Sequence, residues 1–157
     1  MSDREKAHLT IEAFADHLQE AVETLGYFES AAFYDLLECY RQRWDAGTSS
    51  TILRKDEVLP LLSAKGRVDP RHAQIATYSR ASFNMYREQV PAREQAWSKL
   101  GTDARFSASV KMVCDQARSK DGTVVPIEDR WPLPLPECGQ EWCPCSWHLV
   151  YERRSKR

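Results

Sequence analysis

Phe106-Ser107-Ala108-Ser109-Val110-Lys111-Met112 alternates apolar and polar residues, the two-residue rhythm of a strand with one buried face. Upstream of Gly101 the rhythm is different. Ile11, Phe14, Ala15, Leu18, Ala21, Val22 and Leu25 recur at three- and four-residue steps, which predicts an amphipathic helix over 10–25. Thr10 can accept backbone N–H groups at its start, and Gly26 suits a left-handed stop. A second helix is expected from Ser30 to Asp45, with Phe33, Leu36, Leu37, Tyr40 and Trp44 on one side and Cys39 off that stripe. Gly47 to Thr51 is a loop by composition, and Val58 to Leu62 is a short apolar piece carrying Pro60. Asp69-Pro70 opens a third long helix, because Asp caps and Pro fits the first helical position. It should run to Gln89, with Ile75, Ala76, Ser79, Phe83 and Tyr86 on one face, and a further turn over Ala92 to Leu100 should follow.

Beyond Met112, Thr123-Val124-Val125 and Trp147 to Tyr151 are also strand-like. Helices first and strands afterwards predict an α+β chain: an N-terminal helical region over 1–65, then an α+β module over 66–157 built on a small antiparallel sheet. A proline-rich connection separates the last two strands. It cannot easily bury its backbone unaided.

That connection carries the chemistry. Of five cysteines, Cys138, Cys143 and Cys145 fall within eight residues, and Cys114 stands upstream of them. The spacing is Cys114-x23-Cys138-x4-Cys143-x-Cys145, with His148 shortly after. Four thiolates make a closed tetrahedral zinc site of the structural type, and Pro144 would bend the Cys-x-Cys pair so that both sulfurs converge. His148 is an alternative fourth ligand, although Cys114 would tie the loop to the first strand. Reduced cysteines packed in a small core, or a disulfide or redox pair, are the other readings of the same spacing. Three ligands plus water could make a catalytic site, but no Glu is clearly placed as its base; Glu137 and Glu141 are merely close in sequence. His8, His17, His72 and His148 fall in no recognisable catalytic motif. Arg80 and Asn84, four apart on one helix face, could pair with each other or reach a partner, simple surface pairing being the favoured reading. Trp147 is placed to shield the sulfurs, whereas Trp131 and Trp142 are the better candidates for an interface.

Composition constrains the partners. Net charge is −1 over 157 residues, which gives no overall pull toward nucleic acid or an anionic membrane. The basic residues Arg153, Arg154, Lys156 and Arg157 could touch DNA phosphates, or simply form a solvated terminus. Met1 to Lys6 is polar with no apolar segment after it, and no stretch approaches a membrane span. A reducing cytosol is therefore the expected compartment.

Two stretches resemble the MuF-like phage minor head, or head morphogenesis, family. The first is the helix Asp69 to Ala81 with Asn84 beyond it, similar to the family's R-A-x-x-I-A-R-T-E-x-x-x-A-x-N. The second runs Cys114 to Ala117, Asp121-Gly122-Thr123-Val124-Val125-Pro126, Pro132 to Pro136 and Cys143-Pro144-Cys145. It is similar to C-x-x-L-D-G-x-x-F-P, a proline-rich stretch and a closing H-P-x-C-R-C. The order is kept over roughly residues 67 to 151. Lys111 stands where the family commonly has a first cysteine, Thr77-Tyr78-Ser79 replaces R-T-E, and Cys138 is the candidate substitute for the family's His, which would fall near Gln140. The closing segment also resembles short uncharacterised bacterial proteins with Cys-x4-Cys-x-Cys and then paired arginines. The phage resemblance implies a non-enzymatic structural protein at a capsid or its neck, found in the host cytoplasm or the virion, with portal or other capsid proteins as partners. A free-standing bacterial zinc-binding adaptor or regulator is the alternative, and an enzyme a third.

Overall fold

A computed structural model of the chain describes residues 11–47, 51–88, 99–108 and 114–150. It is α+β, and it divides into two compact units, Met1–Tyr86 and Arg87–Arg157. The expected boundary at residue 65 therefore moves to Tyr86, because the third long helix buries Ala73, Ala81 and Met85 in the first unit's core.

In the first unit, helix α1 (Ile11–Leu25) buries Phe14, Leu18, Ala21, Val22 and Leu25, the predicted stripe without its most peripheral members. Gly26 ends it at φ +66°, in the left-handed region that glycine enters without a Cβ clash. A 3-10 turn (Ser30–Ala32) leads into α2 (Phe33–Asp45), whose Leu36 and Tyr40 face α1. Phe14, Tyr40, Trp44 and Tyr78 stack at centroid distances of 5.0 to 5.8 Å. The short apolar piece forms α3 (Lys55–Val58) and a 3-10 turn (Leu59–Leu61), followed by α4 (Ala64–Val68), which the sequence reading does not anticipate.

Helix α5 (Pro70–Glu88) starts as expected, with Asp69 Oδ1 accepting the His72 N–H at 3.0 Å. Of the expected face only Ala76 is buried, and Ile75, Ser79 and Phe83 are half-buried. Ala73, Gln74, Ala76, Thr77, Ala81 and Met85 are buried, while Tyr86 is exposed. Small alanines let the helix approach closely. Gln74 is tolerated inside because its Oε1 accepts the Leu53 N–H at 2.7 Å and its Nε2 donates to the Pro70 carbonyl at 2.9 Å.

Arg80 has a partner beyond its own helix. It crosses to α1, where Nε lies 3.1 and 2.9 Å from the two carboxylate oxygens of Glu20 and Nη2 lies 2.6 Å from Oε1. This bidentate hydrogen bonding holds the Glu20 carboxyl below its ordinary value, against an opposing push from burial. A depressed carboxylate contributes stability above its unfolded pKa, and that contribution fades as pH falls through the lower folded value. Glu20→Gln should therefore cost about 0.5–1 kcal/mol at neutral pH, the pair being partly solvated. In urea titrations the gap from wild type should narrow steadily once pH drops below about 4; a gap constant with pH would contradict the ion pair.

The second unit is a three-stranded antiparallel sheet in the order β2-β1-β3. Strand β1 (Asp103–Ser107) is central, β2 (Val124–Pro126) is short, and β3 (Ser146–Val150) pairs along the whole of β1. Ala104 and Phe106 are buried, as the alternation predicts. The rest of the predicted first strand, Ser109 to Met112, lies outside the described residues, as do Tyr151, residues 92–98 of the turn expected over Ala92 to Leu100, Thr10, and the tail residues Arg153, Arg154, Lys156 and Arg157. Between β1 and β2 lies helix α6 (Asp115–Lys120), also unanticipated. Gly122, at φ +78°, closes the turn back to the sheet, its N–H donating to the Phe106 carbonyl at 3.0 Å. Asp121 completes that turn by accepting the Ala108 N–H at 2.9 Å. Among the described residues, no helix is long and apolar enough to cross a membrane.

Candidate metal centre

Phe106, Ala117 and Leu135 form a small apolar cluster on one face of the sheet, and all four C-terminal thiols join it. Cys143 and Cys145 are buried members; Cys114 and Cys138 are half-buried and pack against it. The residues distant in sequence therefore meet, and none of the four is oxidised. Cys39 stands apart in α2 of the first unit, its thiol pushed up chiefly by burial.

Each thiol is positioned by local backbone. Cys114 occupies the N-cap of α6, and its Sγ accepts the Ala117 N–H at 3.4 Å. Cys138 ends a turn in which its N–H donates to the Leu135 carbonyl at 2.9 Å. Pro144 bends the chain so that Cys143 hydrogen-bonds with both the backbone and the thiol of Cys145. Burial pushes the Cys143 thiol up; the backbone contact from Cys145 and the charge of Arg87 act against that push. Arg87, with which the second unit begins, also donates to the Cys143 carbonyl. Nothing in the sequence marks Arg87 for this position, because the two residues are 56 apart.

Aromatic rings enclose the cluster. Trp147 stacks on Phe106 at 5.4 Å and on Trp131 at 4.6 Å, and its Nε1 donates to the Trp131 carbonyl at 3.2 Å. Trp147 thus sits where expected. Trp131 does not: it packs on Phe106 and the thiol cluster, with Lys120 Nζ 4.6 Å over its ring. Trp142 is half-buried. His148 is exposed, and its Nε2 is 2.9 Å from Ser146 Oγ. Strand alternation sets it on the face opposite Trp147, away from the thiols.

The donor set is four soft thiols in or against one cluster of apolar and aromatic side chains, and soft sulfur donors suit a thiophilic divalent cation. Among the described residues, no three His, Cys, Asp or Glu side chains are already arranged as a metal-binding group. The sulfurs are gathered but not set around one point. Compared with known proteins, the chain matches no family model, no curated protein and no solved structure.

Proposed function

We propose that the chain is a non-enzymatic structural protein of the phage minor head type, whose second unit is stabilised by zinc held on Cys114, Cys138, Cys143 and Cys145. One observation carries this reading: thiols from two stretches separated by 23 residues gather, reduced, in a single small cluster. The role of the ion is to staple. Residues 127 to 145 contain one 3-10 turn and no strand, so four metal–sulfur bonds would fix a connection that hydrogen bonding leaves loose. The resemblance of Cys114 to Ala117, Asp121 to Pro126 and Cys143 to Cys145 to head morphogenesis proteins supplies the biological role, with portal or other capsid proteins as partners.

Elemental analysis of protein purified under reducing conditions should give about one zinc per chain, falling toward zero in Cys143→Ser. Removal of the ion by a chelator should change the fluorescence of Trp131 and Trp147, which border the thiols. A metal content near zero in reduced wild type would overturn the staple. The structural role is tested separately, by sequencing the locus and co-expressing the chain with any portal protein encoded there. Failure to co-purify, or a locus without portal and terminase genes, favours a free-standing zinc-binding adaptor instead.

A further inference from the structure

The charged side chains of the first unit fall into two groups. Arg41 pairs with Glu38 at 2.7 Å, Arg43 with Glu57 at 3.2 Å, Arg54 with Asp56 at 3.3 Å, and Arg80 with Glu20 at 2.6 Å. Among the described residues of this unit, Lys55, Lys65, Arg67 and Arg71 take part in no ion pair of this kind, and Lys55 is followed directly by Asp56 and Glu57. Lys65, Arg67 and Arg71 fall close together in sequence, in the segment that forms α4 and enters α5. Ala64 to His72 carries them against one carboxylate, Asp69, which is already engaged by the His72 N–H. The rest of the unit's exposed charge leans the other way, with Glu12, Asp16 and Glu23 along α1 and Asp35 at the start of α2.

Two of the three cations are fixed by neutral acceptors. Lys65 Nζ donates to the Leu25 carbonyl at 2.6 Å and sits 4.3 Å above the ring of Tyr27. Arg67 Nε donates to the Leu62 carbonyl at 3.3 Å. A carbonyl holds such a side chain in place without cancelling its charge. Tyr27 is met edge-on by the ring of His72 at 5.6 Å, which joins the start of α5 to the same corner.

We infer that the corner formed by α4 and the first turn of α5 is a binding surface for the phosphate backbone of nucleic acid, with Lys65, Arg67 and Arg71 as the phosphate contacts. Three separated cations, two of them held in place, suit a polymer that carries a phosphate at every step, and displacement of its condensed counterions drives the association. Such contacts carry no sequence information, so binding is independent of sequence. An anionic bilayer fits less well. It needs an apolar anchor beside the charges, and the corner offers one exposed aliphatic side chain, Val68.

The test is fluorescence anisotropy of a short labelled DNA duplex against the full chain at several salt concentrations. Three phosphate contacts predict a slope of log K against log salt of about −2.7. Arg67→Glu with Arg71→Glu should weaken binding at low salt by about tenfold or more. Two controls separate this corner from other sources of charge. Arg41→Glu with Arg54→Glu makes the same change in net charge elsewhere on the unit, and Arg153→Gln with Arg154→Gln removes charge from the tail. Both should stay within about threefold of wild type. Circular dichroism verifies folding, and Arg67→Gln with Arg71→Gln serves if the charge reversal unfolds the chain. The proposal is overturned by absent binding at low salt, by equal losses in either control, or by tighter binding to phosphatidylserine vesicles than to the duplex.

Discussion

Gly66→Ala is expected to lower the thermal midpoint of the first unit by roughly 10–20 °C, equivalent to about 3 kcal/mol in a unit of this size. The reason is a close approach of two chain segments. A Cβ built at Gly66 would lie 2.0 Å from the Tyr27 carbonyl oxygen and 2.9 Å from a methyl of Leu62. The backbone oxygen cannot rotate away, and it already accepts the Ser63 N–H at 3.0 Å. Around it, Ser63 Oγ donates to the Gly26 carbonyl at 2.7 Å, Glu29 N–H donates to the Leu61 carbonyl at 3.0 Å, and Phe28 bridges to Leu62. An added methyl must push the α1–α2 turn off α4 and loosen this whole set. Helix propensity argues the opposite way, since alanine in an open helical position gains up to about 1 kcal/mol over glycine. The sign of the change is therefore decisive: a midpoint that rises would mean that the close approach does not exist.

Phe106→Ala should unfold much of the second unit while leaving the first intact. Phe106 is fully buried at the centre of β1, in ring contact with Trp131 at 5.5 Å and Trp147 at 5.4 Å, and it packs with Leu135 and the thiols. Emptying such a site costs about 3–5 kcal/mol through lost transfer free energy and the cavity left behind. The second unit has only a small core over which to absorb this. Near-UV circular dichroism, to which the stacked Trp131 and Trp147 contribute, should lose most of their signal. The far-UV helical signal, which comes mainly from α1, α2 and α5, should be largely retained. Excess zinc should restore little, because Phe106 supports the cluster whether or not the thiols are liganded. Full retention of the near-UV signal would show that the rings are not organised around Phe106.

Much of this architecture was legible from local rules, and the exceptions share a cause. The stripe of α1, the Gly26 stop, the Asp69 cap and the alternation through Phe106 each depend on neighbours within a few residues, so periodicity and turn chemistry located them. Helices α4 and α6 were not legible: at five and six residues they are too short to show a period, and α6 is almost wholly polar. The face of α5 was only partly legible because Gln74 and Thr77 are buried polar residues whose position depends on tertiary surroundings. That Arg80 reaches Glu20, 60 residues away, is likewise invisible to local spacing. At the candidate metal centre, the four cysteines singled out by their spacing fall in one apolar cluster, though among the described residues they are not arranged as a metal-binding group. Spacing could not indicate that Leu135 and Trp131 would form their setting, since proline-rich connections carry no period.

The strand order has a consequence for how the chain is made. Strand β1 is the first of the three to be synthesised yet takes the central place, and its long edge pairing is with β3, some forty residues later. On the ribosome, α1 to α5 can consolidate as soon as they emerge, whereas the sheet must wait for Val150. Through that interval the free thiols are unshielded by their tryptophans, so the nascent chain meets oxidants and metal ions with its most reactive side chains uncovered.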